Sequence, residues 1–261
     1  MLAEASRIGL LIVGDEILSG RRQDKHLAHV IEVFRPRGLA LSWVQYLGDD
    51  EELLARQLRQ IRDSGDICFC FGGIGGTPDD RTRQAMARAH DLPLERHPGA
   101  VAEIEARFGE QAYPVRILMA ELPQGAALIP NPYNRIPGFS LGHIHCVPGF
   151  PVMAWPMLEW LLDNQYAHLQ EEPDVQLLLT VSDVVESDIV MLMTELQAAY
   201  PTVKLSSLPH FLPEKGRQIE FGVYGKAEQA KALFHELQTA LTQKGFRFVI
   251  TEQLESASMR N

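Results

Sequence analysis

Four glycines and two aspartates lie close together in the segment Gly72–Asp80, directly after a short apolar run. The run Ile67–Phe71 predicts a buried parallel strand, because it is apolar on both faces. Glycines at the end of such a strand permit positive φ angles and let backbone N–H groups approach a ligand closely. Backbone of this kind suits a phosphate group. The glycines of the expected phosphate loop are Gly72, Gly73, Gly75 and Gly76.

The residues that follow the glycines predict the start of a helix. Thr77 suits the N-cap, Pro78 suits the first turn, and Asp80 suits the partner position of a capping box. The N–H groups and the dipole at a helix N-terminus favour a bound anion. We therefore expect Thr77 to complete the phosphate site.

Two carboxylates, Asp79 and Asp80, stand where the phosphate would come. No lysine follows the glycines, which argues against a P-loop nucleotidase, and the glycine spacing differs from the dinucleotide fingerprint. Carboxylates beside a polyanion are unfavourable unless a divalent cation such as Mg²⁺ lies between them. Alternatively, the two aspartates only cap the helix and point away. The pattern leaves both interpretations open.

The first part of the chain alternates strand patterns with helix patterns, which predicts a parallel sheet with right-handed crossovers. The predicted elements are strands over residues 8–13, 40–47 and 67–71 and helices over residues 24–37 and 49–63. Ligands of such sheets bind beyond the carboxyl ends of the strands. The loops over residues 14–20, 48–50 and 72–80 all lie there, so their side chains are expected to converge.

A polar stretch broken by Pro173, over residues 169–174, predicts a linker between two domains. We predict an α/β domain over residues 1–168, with a mostly parallel sheet and helices on both faces. A small α+β domain over residues 175–252 follows, with the β-α-β-β-α-β order of a split βαβ unit. This second domain has neither a GxxG clamp nor an aromatic RNP stripe, so RNA binding is not expected.

The composition narrows the classes of function. A formal net charge of −10 disfavours binding to nucleic acid or to an anionic membrane, because both need clustered positive charge. No apolar run has the length of a membrane span, and no signal peptide precedes the first strand, so a cytoplasmic location is expected. A small-molecule ligand is the favoured partner.

Cysteine and histidine positions suggest two weaker alternatives. Cys68, Cys70 and Cys146 form neither an even disulfide framework nor a CxxC knuckle, so core positions are expected, with a thiol ligand site as the alternative. His143 and His145 would share one strand face, where a ligand pair is possible but core or solvent-facing histidines are commoner.

Five motifs in order resemble one family. They are Gly14–Gly20, Gly48–Asp50, Gly72–Thr82, Pro137–Phe139 and Pro148–Pro151. The resemblance is to the molybdopterin-binding (molybdenum-cofactor biosynthesis) domain, in the variant found in competence/damage-inducible protein A, and it covers residues 7–167. The second unit resembles the domain that follows in that family. The C-terminal amidase domain of many members is absent, so nicotinamide-nucleotide deamidation is not expected.

The resemblance implies a phosphate- or pyrophosphate-binding loop and two functional aspartates, matched here by Asp49 and Asp80. It implies metal-dependent hydrolysis of nucleotide pyrophosphates of the ADP-ribose or FAD class. From the positions of the carboxylates, we predict that Asp80, Asp79 and Glu16 hold the metal, which would be Mg²⁺, Mn²⁺ or Co²⁺. The alternatives are a non-catalytic protein that binds molybdopterin or a nucleotide, and a molybdopterin adenylyltransferase. Homo-oligomers are usual in this family and are expected here. The predicted ligand-binding residues are Gly14, Asp15, Ser19, Gly20, Gly72, Gly73, Gly75, Gly76, Thr77, Pro148 and Gly149.

The chain departs from the family pattern at three places. Lys25 and His26 replace the usual Thr-Asn, Arg135 lies in a stretch usually written Gly-Thr-Ala, and Met153 stands where a glutamate is common. Gained cations and a lost carboxylate favour anion binding over a metal-rich hydrolytic site. Alternatively, Lys25 lies on a solvated helix surface and Met153 in the core.

Overall fold

A computed structural model describes residues 7–212 and 216–254. The chain divides into two compact units. Of the described residues, 7–34 and 40–170 form the first unit, and 35–39, 171–212 and 216–254 form the second. No helix in the described ranges has the length and apolar character that crossing a membrane requires.

The first unit is a mixed α/β layer structure around one central sheet, as the sequence predicts. Its strands are β1 Ile8–Val13, β2 Trp43–Leu47, β3 Ile67–Phe71, β4 Leu94–Arg96, β5 Glu121–Pro123, β6 Ala127–Ile129, β7 Gly138–Leu141 and β8 Ile144–Val147. Its helices are α1 Asp15–Leu18, α2 His26–Phe34, α3 Glu51–Ser64, α4 Thr82–Ala89, α5 Pro98–Phe108 and α6 Pro151–Asn164.

The central sheet has the strand order β2-β1-β3-β8-β7-β6. β1 pairs in parallel with β2 and β3, and β3 pairs in parallel with β8, whereas β7 pairs antiparallel with both β6 and β8. Every residue of β1 and β3 is buried, which explains why both strands are apolar throughout. The carboxyl ends of β1, β3 and β8 therefore lie side by side.

Aspartate side chains fix the first residues of α2 and α3, so the residues before them remain in loops. The side chain of Asp50 accepts a hydrogen bond from Leu53 N at 2.8 Å and caps α3, which leaves Asp49 in the loop. The α2 helix begins at His26 because Asp24 accepts from the backbone N–H of His26 and Leu27 at 2.8 and 3.1 Å. It ends at Phe34, just before an Arg35–Arg37 3₁₀ turn that contains a proline.

The three cysteines are free and buried, as core residues are expected to be. His143 is exposed in the turn between β7 and β8, whereas His145 is buried in β8. His145 joins Ser140 Oγ at 2.7 Å through Nδ1 and Tyr166 OH at 2.5 Å through Nε2. The two histidines therefore do not form a ligand pair, and His145 is a hydrogen-bonded core residue.

Burial lowers the pKa of His145 from 6.5 to about 3. The unfolded chain takes up this proton near pH 6.5 and the folded chain only near pH 3, so stability is lost as the pH falls between these values. We expect the free energy of unfolding of the wild type to fall by about 2 kcal/mol more than that of His145→Gln between pH 7 and pH 5. Urea unfolding at both pH values measures this difference, and equal losses in the two proteins would contradict it.

The second unit is an antiparallel sheet with two helices. Its elements are β9 Val175–Ser182, α7 Val190–Ala199, β10 Lys204–Leu212, β11 Gly216–Gly225, α8 Ala227–Gln243 and β12 Phe248–Leu254. The strand order is β10-β11-β9-β12, and all three neighbouring pairs are antiparallel. Alternate β9 residues Leu177, Leu179 and Val181 are buried with Leu233 and Leu237 of α8. This is the predicted split βαβ arrangement.

Candidate phosphate-binding site

A cavity of about 440 Å³ lies where the loops after β1, β2, β3 and β8 meet. The glycine loop, defined here as residues 72–76, forms part of its wall. The predicted site residues that line the cavity are Gly14, Glu16, Asp49, Gly72, Gly73, Gly75, Gly76, Thr77, Asp79, Asp80, Pro148 and Gly149. The structure therefore brings together residues from four distant segments. Asp15, the first residue of α1, and Ser19 and Gly20, which follow α1, are not among the lining residues.

Close packing requires glycine at the start of this loop. Gly72 has a φ of +106°, and a Cβ atom there would lie 2.2 Å from the carbonyl oxygen of Val13. Gly73 has a φ of +68°, and its Cβ would lie 2.3 Å from Thr82 Oγ1. Both positions combine a left-handed backbone with a collision, so a side chain at either one would displace the loop.

The glycine loop carries backbone N–H groups that are not paired within the protein. The Gly72 N–H donates to the Val147 carbonyl at 3.0 Å and ties β3 to β8. Within the described ranges, the next four N–H groups donate to no protein acceptor; they belong to Gly73, Ile74, Gly75 and Gly76. Backbone donors in a part-buried loop normally have partners, so four successive open donors in a loop that lines a cavity suit an anion.

Residues of α4 donate hydrogen bonds to the backbone carbonyl groups of the glycine loop. Thr82 donates its N–H to the Gly73 carbonyl and its hydroxyl to the Gly72 carbonyl, both at 2.9 Å. The buried Arg83 donates through Nη2 to the Gly75 carbonyl at 2.7 Å. Its Nη1 donates to the carbonyls of Leu118 at 2.5 Å and Glu121 at 3.0 Å.

Sequence reasoning missed both supporting residues. The available signal was a polar pair, Thr82-Arg83, directly after the aspartates at a helix start. Burial lowers the pKa of Arg83, while the nearby carboxylates of Asp80 and Glu121 act in the opposite direction. The guanidinium is thus a buried cation whose hydrogen bonds go to the backbone of the loop.

Asp80 is engaged within the loop. Its Oδ2 accepts from the Thr77 N–H at 2.9 Å and from the Thr77 hydroxyl, and the Asp80 N–H donates back to the Thr77 carbonyl at 3.0 Å. The pairing resembles a capping box, but it closes a turn and not a helix. The expected N-cap at Thr77 is wrong, because α4 begins at Thr82 with Arg81 at its N-cap.

Asp15 and Asp49 bond to each other's backbone. The Asp15 N–H donates to Asp49 Oδ2 at 3.0 Å, and the Asp49 N–H donates to Asp15 Oδ1 at 3.3 Å. Burial raises the pKa of Asp49, and the nearby carboxylates of Asp15, Glu16 and Asp79 raise it further. The pair fixes the β1 and β2 loops against each other and places negative charge at one side of the cavity.

The residues predicted to hold a metal line the cavity without forming a metal site. Across residues 7–212 and 216–254, no three His, Cys, Asp or Glu side chains are grouped so that they could hold an ion. Asp79, Asp80 and Glu16 therefore do not fit as a ready-made ligand set, and the metal remains a prediction from the resemblance.

The departures from the family pattern have different structural roles. Arg135 Nε pairs with Glu103 Oε2 at 2.7 Å and is not among the residues lining the cavity. The expectation that it adds positive charge to the crevice is therefore wrong. Met153 lines the cavity, and its sulfur accepts from Asn134 Nδ2 at 3.3 Å. Burial lowers the pKa of His26, which favours the neutral form.

Comparisons with known proteins place the first unit in a family. A family model described as a probable molybdopterin binding domain matches residues 9–168. A CinA-like protein of Anaeromyxobacter sp. (strain Fw109-5) is 32% identical over 179 residues, which cover 66% of this chain and 44% of that protein. A CinA-like protein of Citrifermentans bemidjiense is 34% identical over 161 residues, covering 59% of this chain and 39% of that protein. The chain thus spans less than half the length of these relatives.

A solved structure shows the same fold. The crystal structure of the protein CinA, of unknown function, from Thermoplasma acidophilum is 25% identical, with a TM-score of 0.56. The similarity covers 61% of this chain and 98% of that chain. The family match includes the four loops that meet at the cavity, and the glycine loop is part of one of them. The chain belongs to the family described as probable molybdopterin binding domains, as the resemblance of its five motifs predicts.

Proposed function

We propose that the chain binds molybdopterin or a nucleotide through a phosphate group held by the glycine loop. The observation that carries the proposal is the row of four open backbone N–H groups from Gly73 to Gly76. Backbone N–H groups without protein partners can donate to the oxygens of a phosphate group. The family membership of the first unit supports a pterin or nucleotide as the molecule that carries the phosphate.

The energetics favour the amides as the source of affinity. A hydrogen bond to a charged acceptor contributes about 1.5–3 kcal/mol net, so several donors acting together outweigh repulsion from partly solvated carboxylates. The Asp80 carboxylate accepts two hydrogen bonds from Thr77, which reduces its effect on a neighbouring anion. Pre-positioned donors also avoid the cost of ordering a loop when the ligand binds.

Metal-dependent hydrolysis of a nucleotide pyrophosphate is the second candidate. The observation in its favour is that Glu16, Asp49, Asp79 and Asp80 line the same cavity as the glycine loop. The raised pKa of Asp49 also fits a group that could take up a proton. Because the acidic side chains are not grouped for an ion, the binding function is the better supported of the two.

One assay separates these functions. ADP-ribose or FAD is incubated with the protein and Mg²⁺, Mn²⁺ or Co²⁺, and the phosphorus NMR spectrum is followed over time. We expect broadened or shifted ligand signals without new products. Asp80→Asn should behave like the wild type, because an asparagine oxygen still accepts from the Thr77 N–H. Cleavage that needs metal and disappears in Asp80→Asn would instead establish the hydrolase, and spectra unchanged by the protein would exclude binding of these ligands.

The third candidate, transfer of AMP to molybdopterin, needs a different substrate pair. Incubation with ATP and molybdopterin would then yield pyrophosphate and adenylylated pterin. The binding proposal expects neither product, and their appearance would overturn it.

A further inference from the structure

A second cavity of about 250 Å³ adjoins the phosphate site. Its floor and walls include the apolar side chains of Ile12, Ile17 and Phe71 together with Phe150. Five residues line both cavities: Val13, Glu16, Arg22, Gly149 and Phe150. The two spaces are therefore neighbouring parts of one depression, and a ligand whose phosphate lies on the glycine loop could extend from the first into the second.

Arg22 stands at the junction of the two cavities. Its Cζ lies 5.8 Å from the centroid of the Phe150 ring, and Phe150 is 53% exposed. The backbone N–H of Arg22 donates to the backbone carbonyl of Glu16 at 2.9 Å, which fixes the main chain at Arg22. Within the described ranges, no carboxylate lies at ion-pair distance from its guanidinium. An exposed cation beside an aromatic ring, with no partner of its own, suits an anionic group of a ligand.

The other charged side chains of the second cavity are Glu16, Asp24 and Lys25. Asp24 is engaged, since it accepts from His26 N, Leu27 N and Tyr46 OH. Lys25, like Arg22, has no ion-pair partner in the part of the chain that the structure describes. The four formal charges of this cavity cancel, but Asp24 already accepts three hydrogen bonds, whereas the donors of Arg22 and Lys25 remain available to an anion.

His26 is a lining residue of the same cavity and carries an open hydrogen-bond acceptor. It is 5% exposed, lines the second cavity and packs against Phe71 with ring centroids 4.5 Å apart. Its Nε2 lies 3.1 Å from the Gly149 carbonyl, which only accepts, so this nitrogen carries the proton. The other nitrogen, Nδ1, is buried without a hydrogen-bond partner within the described residues. A buried acceptor without a donor is costly unless something else satisfies it.

We propose that the second cavity is a further subsite, in which Arg22 binds a second anionic group of the ligand next to the phosphate on the glycine loop. The inference rests on the proposed function, because the first phosphate defines the position of the second. It assigns to Arg22 a role in specificity: ligands with two adjacent phosphates are preferred over ligands with one. The apolar floor of the second cavity then receives the group attached to the second phosphate.

Titration calorimetry with inorganic phosphate and inorganic pyrophosphate tests this role in the full chain. We expect Arg22→Gln to weaken pyrophosphate binding about tenfold, the scale of one charge-assisted hydrogen bond, and phosphate binding less than about twofold. Arg21→Gln is the matched control, since Arg21 is an exposed neighbour that lines neither cavity. It should leave both affinities unchanged.

The outcomes separate the subsite from the phosphate site. Arg22→Gln could weaken phosphate and pyrophosphate binding equally, or Arg21→Gln could weaken pyrophosphate binding as much as Arg22→Gln does. Either result would mean that the arginines attract anions nonspecifically, and it would overturn the subsite. An unchanged preference in Arg22→Gln would also overturn it while leaving the phosphate site intact. If neither ion bound to the wild type, the proposed function itself would fail, and the subsite with it.

Discussion

Replacing Gly72 by alanine is expected to lower the free energy of unfolding by about 3 kcal/mol and to abolish phosphate binding. The new methyl group would lie 2.2 Å from the carbonyl oxygen of Val13. That carbonyl belongs to β1, which is paired on both sides in the sheet and cannot yield without disturbing two neighbours. The φ of +106° adds strain of its own. The loop must therefore move, and its open N–H groups move with it.

Two other glycines serve as controls. A Cβ at Gly76 would meet its nearest atom, Met119 Cγ, at 3.5 Å, so Gly76→Ala should change stability by less than about 0.5 kcal/mol. Gly125 has a φ of +80° but open space around it, so Gly125→Ala reports the backbone strain alone, about 1 kcal/mol. Urea unfolding measures all three. If Gly72→Ala were no less stable than Gly125→Ala, the predicted collision with the Val13 carbonyl would not contribute to stability, and the prediction would be wrong.

Replacing Arg83 by methionine is expected to cost about 3 kcal/mol of stability and about tenfold in phosphate affinity. Methionine fills much of the same volume but donates no hydrogen bond. The carbonyls of Gly75, Leu118 and Glu121 would each lose a charged donor. Because Gly75 lies within the row of open N–H groups, releasing its carbonyl lets the peptide planes of the loop rotate away from the anion.

Arg88→Met is the matched control on the same helix. Arg88 is exposed and pairs with Glu52 at 3.1 Å, an arrangement that contributes less than about 1 kcal/mol. Calorimetry with inorganic phosphate and urea unfolding give both quantities for each variant. A stable Arg83→Met protein with normal phosphate affinity would show that the guanidinium does not support the loop.

The parts of the site that sequence predicted correctly depend on local patterns. The run Ile67–Phe71 is apolar on both faces, so its place in the middle of a parallel sheet follows from composition alone. The convergence of Asp49 with the glycine loop follows from topology, because carboxyl ends of parallel strands share one edge. Neither prediction needed a side-chain contact.

The parts that sequence missed depend on contacts between distant residues. The start of α4 is set by Thr82, whose hydroxyl reaches back to the Gly72 carbonyl across the loop, and not by the good local signal at Thr77. Arg135 pairs with Glu103, which lies 32 residues earlier and on α5. Sequence alone could not show which arginine lines the cavity. The sequence interpretation named Arg135, whereas the structure has Arg22 there.

The most direct test of phosphate binding at the glycine loop follows backbone amides by ¹H–¹⁵N NMR while inorganic phosphate is added. The amide protons of Gly73, Ile74, Gly75 and Gly76 should move downfield and saturate together, because they become hydrogen-bond donors to one anion. The Gly72 amide already donates to the Val147 carbonyl and should move much less. Saturable shifts at other amides, with those four unchanged, would contradict the account.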